Sequence, residues 1–327
     1  MTASVDGDGR RNAILITGAN GFVGRHLAAR LIADGERVIG TVRQAEAARQ
    51  LPNGVTPLVT RDIADTTWDG ELSQVRAVVH TAAYVHVRGT RAKRDAQECA
   101  RTNVLGSVRL AEAAARQGVE RFIFLSSAGV AGVSRPATFT EDDIPDPQGP
   151  YSVTKLEAER ALEGIDASSA MRVVSLRPPM VYGLGAPGNF GRLLHLLRWA
   201  RGVPLPLGGI ENKRSFIFIE NLVDAIVETL RSPNMRGSFF VSDEDDLSTT
   251  ELIRVIAEVG SVEVRLISLA RALSMSARVM GSGSDASRLV DSFTVSSRRF
   301  REASGWSPRF SATEGIRLSL DVKSAQR

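Results

Sequence analysis

Tyr151 and Lys155 stand four residues apart in Tyr151-Ser152-Val153-Thr154-Lys155, directly after a proline-rich piece with Pro136, Pro145, Pro147 and Pro150. The stretch predicts a helix opening here and running to about Leu162, which puts both side chains on one face, a turn apart. A free tyrosine, with a pKa of about 10, is a poor acid–base group near neutrality. A neighbouring ammonium favours the phenolate, and Lys155 supplies one. Ser127, just past the apolar run Arg121–Ser126, can donate a hydrogen bond to a carbonyl oxygen. The three suit proton transfer at an oxygen while a hydride moves at the attached carbon. Tyr-x-x-x-Lys alone equally describes ordinary helix-surface residues; a glycine turn, Ser127, Tyr151 and Lys155 in this order are far more specific.

A hydride needs a carrier, and Ile14–Gly24 reads as its cradle. The run Ala13 to Ile16 predicts a buried parallel strand; Gly18, Gly21 and Gly24 form the turn; Phe22, Val23, Leu27 and Leu31 start a helix to about Asp34. Glycines let a pyrophosphate approach the backbone around Asn20, and the helix N–H groups attract it. The spacing is Gly-x-x-Gly-x-x-Gly rather than Gly-x-Gly-x-x-Gly, and a plain turn is the alternative. The second strand, Arg37–Val42, ends in Val42-Arg43-Gln44 without the carboxylate that would accept a ribose 2′-hydroxyl. Arg43 could pair with a 2′-phosphate, so NADP(H) is favoured and NAD(H) stays possible; an exposed arginine without a ligand is the other reading. Asp62 and Ile63 sit where a strand end could touch adenine, although Asp62 could equally cap a helix. The small residues Thr81, Ala82 and Ala83 follow strand Val75–His80 and let a ligand near the backbone. His80 reads as a hydrogen-bonded core or rim residue rather than a catalyst. Arg88–Arg101 reads as a charged loop entering a helix at Asn103, which could cap that helix or line the site.

About six alternations of strand and helix predict an α/β fold: a doubly wound parallel (Rossmann) sheet with a smaller, discontinuous C-terminal α+β lobe. The expected division is a disordered tail at 1–11, a dinucleotide-binding domain at 12–182 to which 216–232 returns, and a substrate lobe at 183–215 and 233–327. Ligands bind such sheets outside the carboxyl ends of the strands, where these candidates fall. Lys213–Ile219 reads as a strand of the lobe and Ser282–Ser287 as a mobile stretch.

Composition narrows the classes. The 327 residues are 43% hydrophobic and 24% charged, and 41 basic against 37 acidic residues leave a net charge of +4. Both signs are mixed along the chain, which argues against a nucleic-acid footprint. Cys99 is the only cysteine, which excludes internal disulfides and Cys-rich metal sites. No secretory signal and no membrane span is expected, and the chain reads as cytoplasmic.

Thr17-Gly18-x-x-Gly21-x-x-Gly24, Asp62-Ile63, Ser126-Ser127-x-x-Val130, Tyr151-x-x-x-Lys155, Arg177-Pro178 and Arg214-Ser215-Phe216 resemble the extended short-chain dehydrogenases/reductases. The resemblance spans nearly the whole chain and is strongest with the nucleotide-sugar branch of epimerases, dehydratases and 4-ketoreductases. It implies that Tyr151 is the acid/base, Lys155 binds the nicotinamide ribose, Ser127 holds the substrate oxygen, and Pro178 joins the cofactor set. Asn189 and Arg214 would grip the nucleotide diphosphate. It also implies a homodimer. A substrate-side tyrosine of the family is absent from Val130-Ala131-Gly132. With Arg43 in place of an acid, the expected reaction is reduction of the C4 ketone of a UDP-4-keto-6-deoxy-hexose or its amino counterpart, Tyr151 giving the proton. The alternatives are a UDP-sugar 4-epimerase with tightly bound NAD and an NADPH-dependent reductase of an apolar ketone.

Overall fold

The computed structural model describes residues 11–68, 70–85, 92–187, 189–199, 203–269 and 285–320. From the N-terminus it forms β1 (Ala13–Thr17), α1 (Phe22–Ala33), β2 (Arg37–Val42), β3 (Thr56–Val59), β4 (Val75–His80), α2 (Ala92–Cys99), a π-helical turn (Ala100–Leu105) and α3 (Gly106–Arg116). Next come β5 (Arg121–Leu125), α4 (Gly149–Ser168), β6 (Arg172–Arg177), β7 (Met180–Tyr182), α5 (Asn189–Trp199), β8 (Pro204–Gly208), β9 (Phe216–Phe218), α6 (Ile219–Arg231), β10 (Gly237–Phe240) and α7 (Thr249–Val259).

Seven strands make the main sheet in the order β10-β6-β5-β4-β1-β2-β3. β1 pairs in parallel with β2 and with β4, β2 with β3, and β4 with β5. Every residue of β1 is buried, as a central strand covered on both faces requires. The strand order reverses between β1 and β4, so a crevice opens beyond their carboxyl ends. The sequence expectation of a doubly wound sheet is met.

The chain divides into two compact units: Met1–Leu125 with Glu157–Val174 and Pro233–Gly237, and Ser126–Leu156 with Ser175–Ser232 and Ser238–Arg327. In the first, Leu15, Val78, Leu110, Phe122, Phe124, Ala158 and Leu162 belong to one buried cluster. Arg11, at the start of the described residues, donates to the Ser73 and Gly118 carbonyls. In the second, Ala128, Ala131, Phe139, Phe240, Phe293 and Val295 form a smaller apolar cluster.

Some local expectations shift. The helix read as starting at Asn103 begins at Ala92 and continues through the π turn, because Ala, Lys, Arg, Gln and Glu are good helix formers despite their charge. Asn103 is therefore internal and is no N-cap. Residues 86–91 lie outside the described residues, as do 1–10 and 282–284; of the stretch Ser282–Ser287 read as mobile, 285–287 open a helix, Asp285–Val290. Of the expected strand Lys213–Ile219 only Phe216–Phe218 is regular, and Arg214 forms isolated bridges to Leu247 and Phe293.

The second unit is tied together by a buried carboxylate. Asp243 accepts from the Asn221 amide (2.8 Å), the Phe218 N–H (2.8 Å) and the Tyr182 hydroxyl (3.1 Å). Asn221 also donates to the Phe310 carbonyl and accepts from the N–H groups of Arg309 and Phe310. Burial pushes the Asp243 carboxyl up to about 7, with Asp245 adding to the effect, while its three donors pull the other way. A carboxyl raised in the folded state stabilises fully below its unfolded pKa and loses that contribution as pH climbs through the folded value. Asp243→Asn leaves donors without an acceptor and is expected to cost about 1–3 kcal/mol. Its deficit in melting temperature should narrow from pH 4.5 to 7.5, as wild type alone loses the Asp243 contribution. Thermal melts at three pH values check this; a deficit that is constant or grows contradicts it.

Candidate active site

In the first unit, β1 delivers the chain into the glycine turn. Gly18 takes φ +68°, and a Cβ there would lie 3.0 Å from the Ala82 backbone, so this turn needs glycine on both counts. A Cβ on Gly24 would collide with the Gly18 carbonyl and lie 2.8 Å from Ala19 Cα, so the first turn of α1 packs directly on the loop. Gly21, the N-cap of α1, is exposed and makes no side-chain cap. No acidic residue occupies the first turn. The first N–H groups of the helix, at Phe22, Val23 and Gly24, precede the first intrahelical acceptors and meet no first-turn carboxylate, which fits a diphosphate. Asn20, half-buried beside them, donates to Gln50.

The same unit places Thr81, Ala82 and Ala83 beyond β4, all half-buried. Thr81 donates through its hydroxyl to the Thr17 carbonyl (2.7 Å). Asn103 is fully buried and clamps Tyr84: its Oδ1 accepts the Tyr84 N–H (2.7 Å) and its Nδ2 donates to the Tyr84 carbonyl (3.0 Å). His80 is equally buried, between Thr17 and Ser107, as the core reading expects.

Arg43 is exposed at the end of β2. Asp62 accepts from the Ala64 N–H (2.8 Å) and from Arg101, which also reaches Asp65. Burial raises the Asp62 carboxyl, but the Ala64 N–H and the Arg101 and Arg43 charges outweigh it and hold it below the usual range. Arg101, Asp62 and Asp65 therefore form one charged cluster. Ile63 packs over Gly106, where a Cβ would lie 2.6 Å from its Cγ2.

The second unit holds Ser127, Tyr151 and Lys155, the residues expected to act in proton transfer. Ser127 caps a single turn, Ala128–Val130, its Oγ accepting from the Gly129 N–H at 3.2 Å. The hydroxyl proton of Ser127 is not consumed by that bond. The Ser126 N–H reaches the Leu176 carbonyl (2.8 Å) and the Ala128 N–H reaches that of Pro178 (2.9 Å), which fixes Ser127 beside the end of β6. Tyr151 and Lys155 share a face of α4, with Lys155 Nζ 5.8 Å from the Tyr151 ring centroid. Lys155 is 1% exposed and Tyr151 half-buried. A Lys ammonium this buried lies in a medium of low effective dielectric, where its influence on a neighbouring phenol is largest.

On the expected substrate side, Asn189 is the first residue of α5 and its side chain lies outside the described residues. Arg214 donates through Nη1 to the Asp291 carbonyl (3.0 Å) and lies 5.9 Å from the Phe293 ring centroid. The sequence reading missed Ser152, whose Oγ would be 2.7 Å from a Cβ on Gly129, beside Ser127. Its neighbour Tyr151 was the available signal. It also missed Ser107 and Arg101, which only three-dimensional pairing reveals. Among the described residues, no group of three or more His, Cys, Asp and Glu is placed to hold a metal, and no helix is long and apolar enough to cross a membrane.

Known proteins fit this arrangement. A UDP-glucose 4-epimerase of Vibrio cholerae is 33% identical over 316 residues, covering 95% of each chain. A GDP-6-deoxy-D-mannose reductase of Pseudomonas aeruginosa is 25% identical over 319 residues, covering 94% of this chain and 95% of its own. The solved structure of MoeE5 in complex with UDP-glucuronic acid and NAD superposes with a TM-score of 0.76 at 28% identity, covering 96% of this chain and 100% of that one. Residues 14–239 match the NAD dependent epimerase/dehydratase family. With a glycine cradle, Ser127, Tyr151 and Lys155 in place, the chain belongs to the NAD dependent epimerase/dehydratase family, whose members are NAD-dependent enzymes of the extended short-chain dehydrogenase/reductase type.

Proposed function

We propose that the protein is a nucleotide-sugar 4-epimerase that retains NAD. The observation that carries this reading is full-length kinship at 33% identity to a UDP-glucose 4-epimerase, joined to an intact Ser127, Tyr151 and Lys155 set. The bound dinucleotide supplies the acceptor, and later the donor, of the hydride at the sugar C4. Tyr151 takes the O4 proton as phenolate and returns it to the same oxygen after the ring has turned its other face. Lys155 keeps the phenolate accessible near neutrality, and Ser127 donates to O4. Gly18, Asn20, Gly21, Phe22, Val23 and Gly24 would cradle the pyrophosphate. Asp62 and Ile63 would meet adenine, Thr81–Ala83 and Pro178 would line the dinucleotide, and Arg214 with Asn189 would hold the sugar nucleotide's diphosphate.

A second reading, reduction of a UDP-4-keto sugar by NADPH, is favoured by one feature: β2 ends in Val42-Arg43 with no carboxylate for a ribose 2′-hydroxyl. The reductase relative at 25% identity is compatible with it. NAD takes precedence here because the solved relative at 28% identity carries NAD.

Acid release of nucleotide from the purified protein separates the two. The epimerase reading expects retained NAD and interconversion of UDP-glucose and UDP-galactose with no added nucleotide. An empty protein that oxidises NADPH only with a 4-keto sugar establishes the reductase instead. Tyr151→Phe is expected to lower kcat by about 10²–10⁴-fold while nucleotide retention, measured on the same preparation, stays as in wild type; near-normal turnover removes Tyr151 from the reaction. Arg43→Ala is expected to weaken NAD and NADP binding to a similar extent in calorimetric titrations. Selective loss of NADP binding by tenfold or more would assign Arg43 to a 2′-phosphate and favour the reductase.

A further inference from the structure

His80 ends β4, fully buried, with ring centroids 5.9 Å from Phe122 and 5.7 Å from Phe124. Its Nδ1 lies 2.6 Å from Thr17 Oγ1 and its Nε2 lies 2.8 Å from Ser107 Oγ. The direction of these bonds follows from the far end of the chain. Ser107 donates its hydroxyl proton to the Asn103 carbonyl (2.7 Å), a group that only accepts. Ser107 must then accept from His80, which fixes the proton on Nε2. Nδ1 carries the lone pair and accepts the Thr17 hydroxyl. Thr17 Oγ1 in turn accepts the Ala82 N–H at 3.3 Å. The network thus assigns His80 as the neutral Nε2–H tautomer.

Both ends of this circuit close on one segment, Thr81–Tyr84. Thr17 holds its start, through the Ala82 N–H and through the Thr17 carbonyl, which receives the Thr81 hydroxyl (2.7 Å) and N–H (3.3 Å). Asn103 holds its end through both bonds to the Tyr84 backbone. We infer that His80 and Ser107 are positioning residues for the dinucleotide. They touch neither cofactor nor substrate, and they fasten Thr81–Ala83 beside Gly18 in the one conformation that receives the cofactor. This rests on the proposed placement of the dinucleotide against Thr81–Ala83. Breaking the circuit lets the segment sample other conformations, and the apparent dissociation constant rises by the inverse of the fraction still competent.

The test is calorimetric titration of NAD into nucleotide-stripped full-length protein, with thermal melts and steady-state kinetics on the same variants. Ser107→Ala and Thr17→Val are expected to raise the NAD Kd by about tenfold each, and the double variant by less than the product, since both open one circuit. Thr17→Ser, which keeps the hydroxyl, should bind within threefold of wild type. The NAD concentration that half-reactivates the stripped enzyme should rise more than kcat at saturating NAD falls. Ser107→Ala removes a single oxygen and keeps the inference testable if Thr17→Val does not fold. Unchanged NAD affinity in Ser107→Ala overturns the inference, as does equal loss in Thr17→Ser and Thr17→Val or a fully multiplicative double variant. A wild type that binds neither NAD nor NADP overturns the cofactor reading itself, and this inference with it.

Discussion

The first unit depends on the approach of Gly18 to the backbone of Ala82, two strand ends meeting at 3.0 Å from the position a Cβ would take. A left-handed turn after β1 and a short-side-chain segment after β4 must coexist there, and only glycine meets both demands. The consequence is a close approach of main chain to main chain next to the N-terminus of α1. Backbone amides at a helix start attract a phosphate without needing a cationic side chain, which is the physical basis of the proposed dinucleotide site.

Buried polar contacts hold that approach more firmly than the surface ion pairs do. The Arg101 pair with Asp62 is about one-third exposed on each side, and water screens pairs of that kind so that they add little to stability. The His80 ring is buried with both nitrogens bonded. Leaving one such group without its partner costs about 1–3 kcal/mol, so the circuit resists local opening even though each bond adds modestly when made. The second unit uses the same device in Asp243, Asn221 and Tyr182, where one carboxylate collects donors from β7, β9 and α6. In both places a single buried acceptor or ring fixes the relative position of segments that apolar contact alone would leave free to slide.

The chemistry divides in the same way. Ser127 is set by backbone bonds to Leu176 and Pro178, and Tyr151 with Lys155 by the regular spacing of α4. No residue in that group depends on a long flexible side chain for its place except Lys155, and burial confines it. Such rigidity suits the proton transfer proposed for Tyr151.

The sequence by itself determined the parallel sheet, the glycine cradle, the pairing of Tyr151 with Lys155, and the place of Ser127 at a strand end. Each of these is a local pattern: an apolar run, a glycine spacing, a helical turn. His80 was legible as a core residue for the same reason, since it directly follows the apolar Ala77-Val78-Val79. What the tertiary structure alone decided is which partners polar side chains find. Asn103 looked like a helix start from its neighbours in sequence, yet the helix begins at Ala92 and its amide clamps Tyr84, 19 residues away. Ser107 meets His80 across 27 residues, Arg101 meets Asp62 across 39, and Tyr182 meets Asp243 across 61. Hydrogen-bond partners at such separations are set by the register of the sheet and the packing of helices upon it, and no periodicity along the chain encodes them.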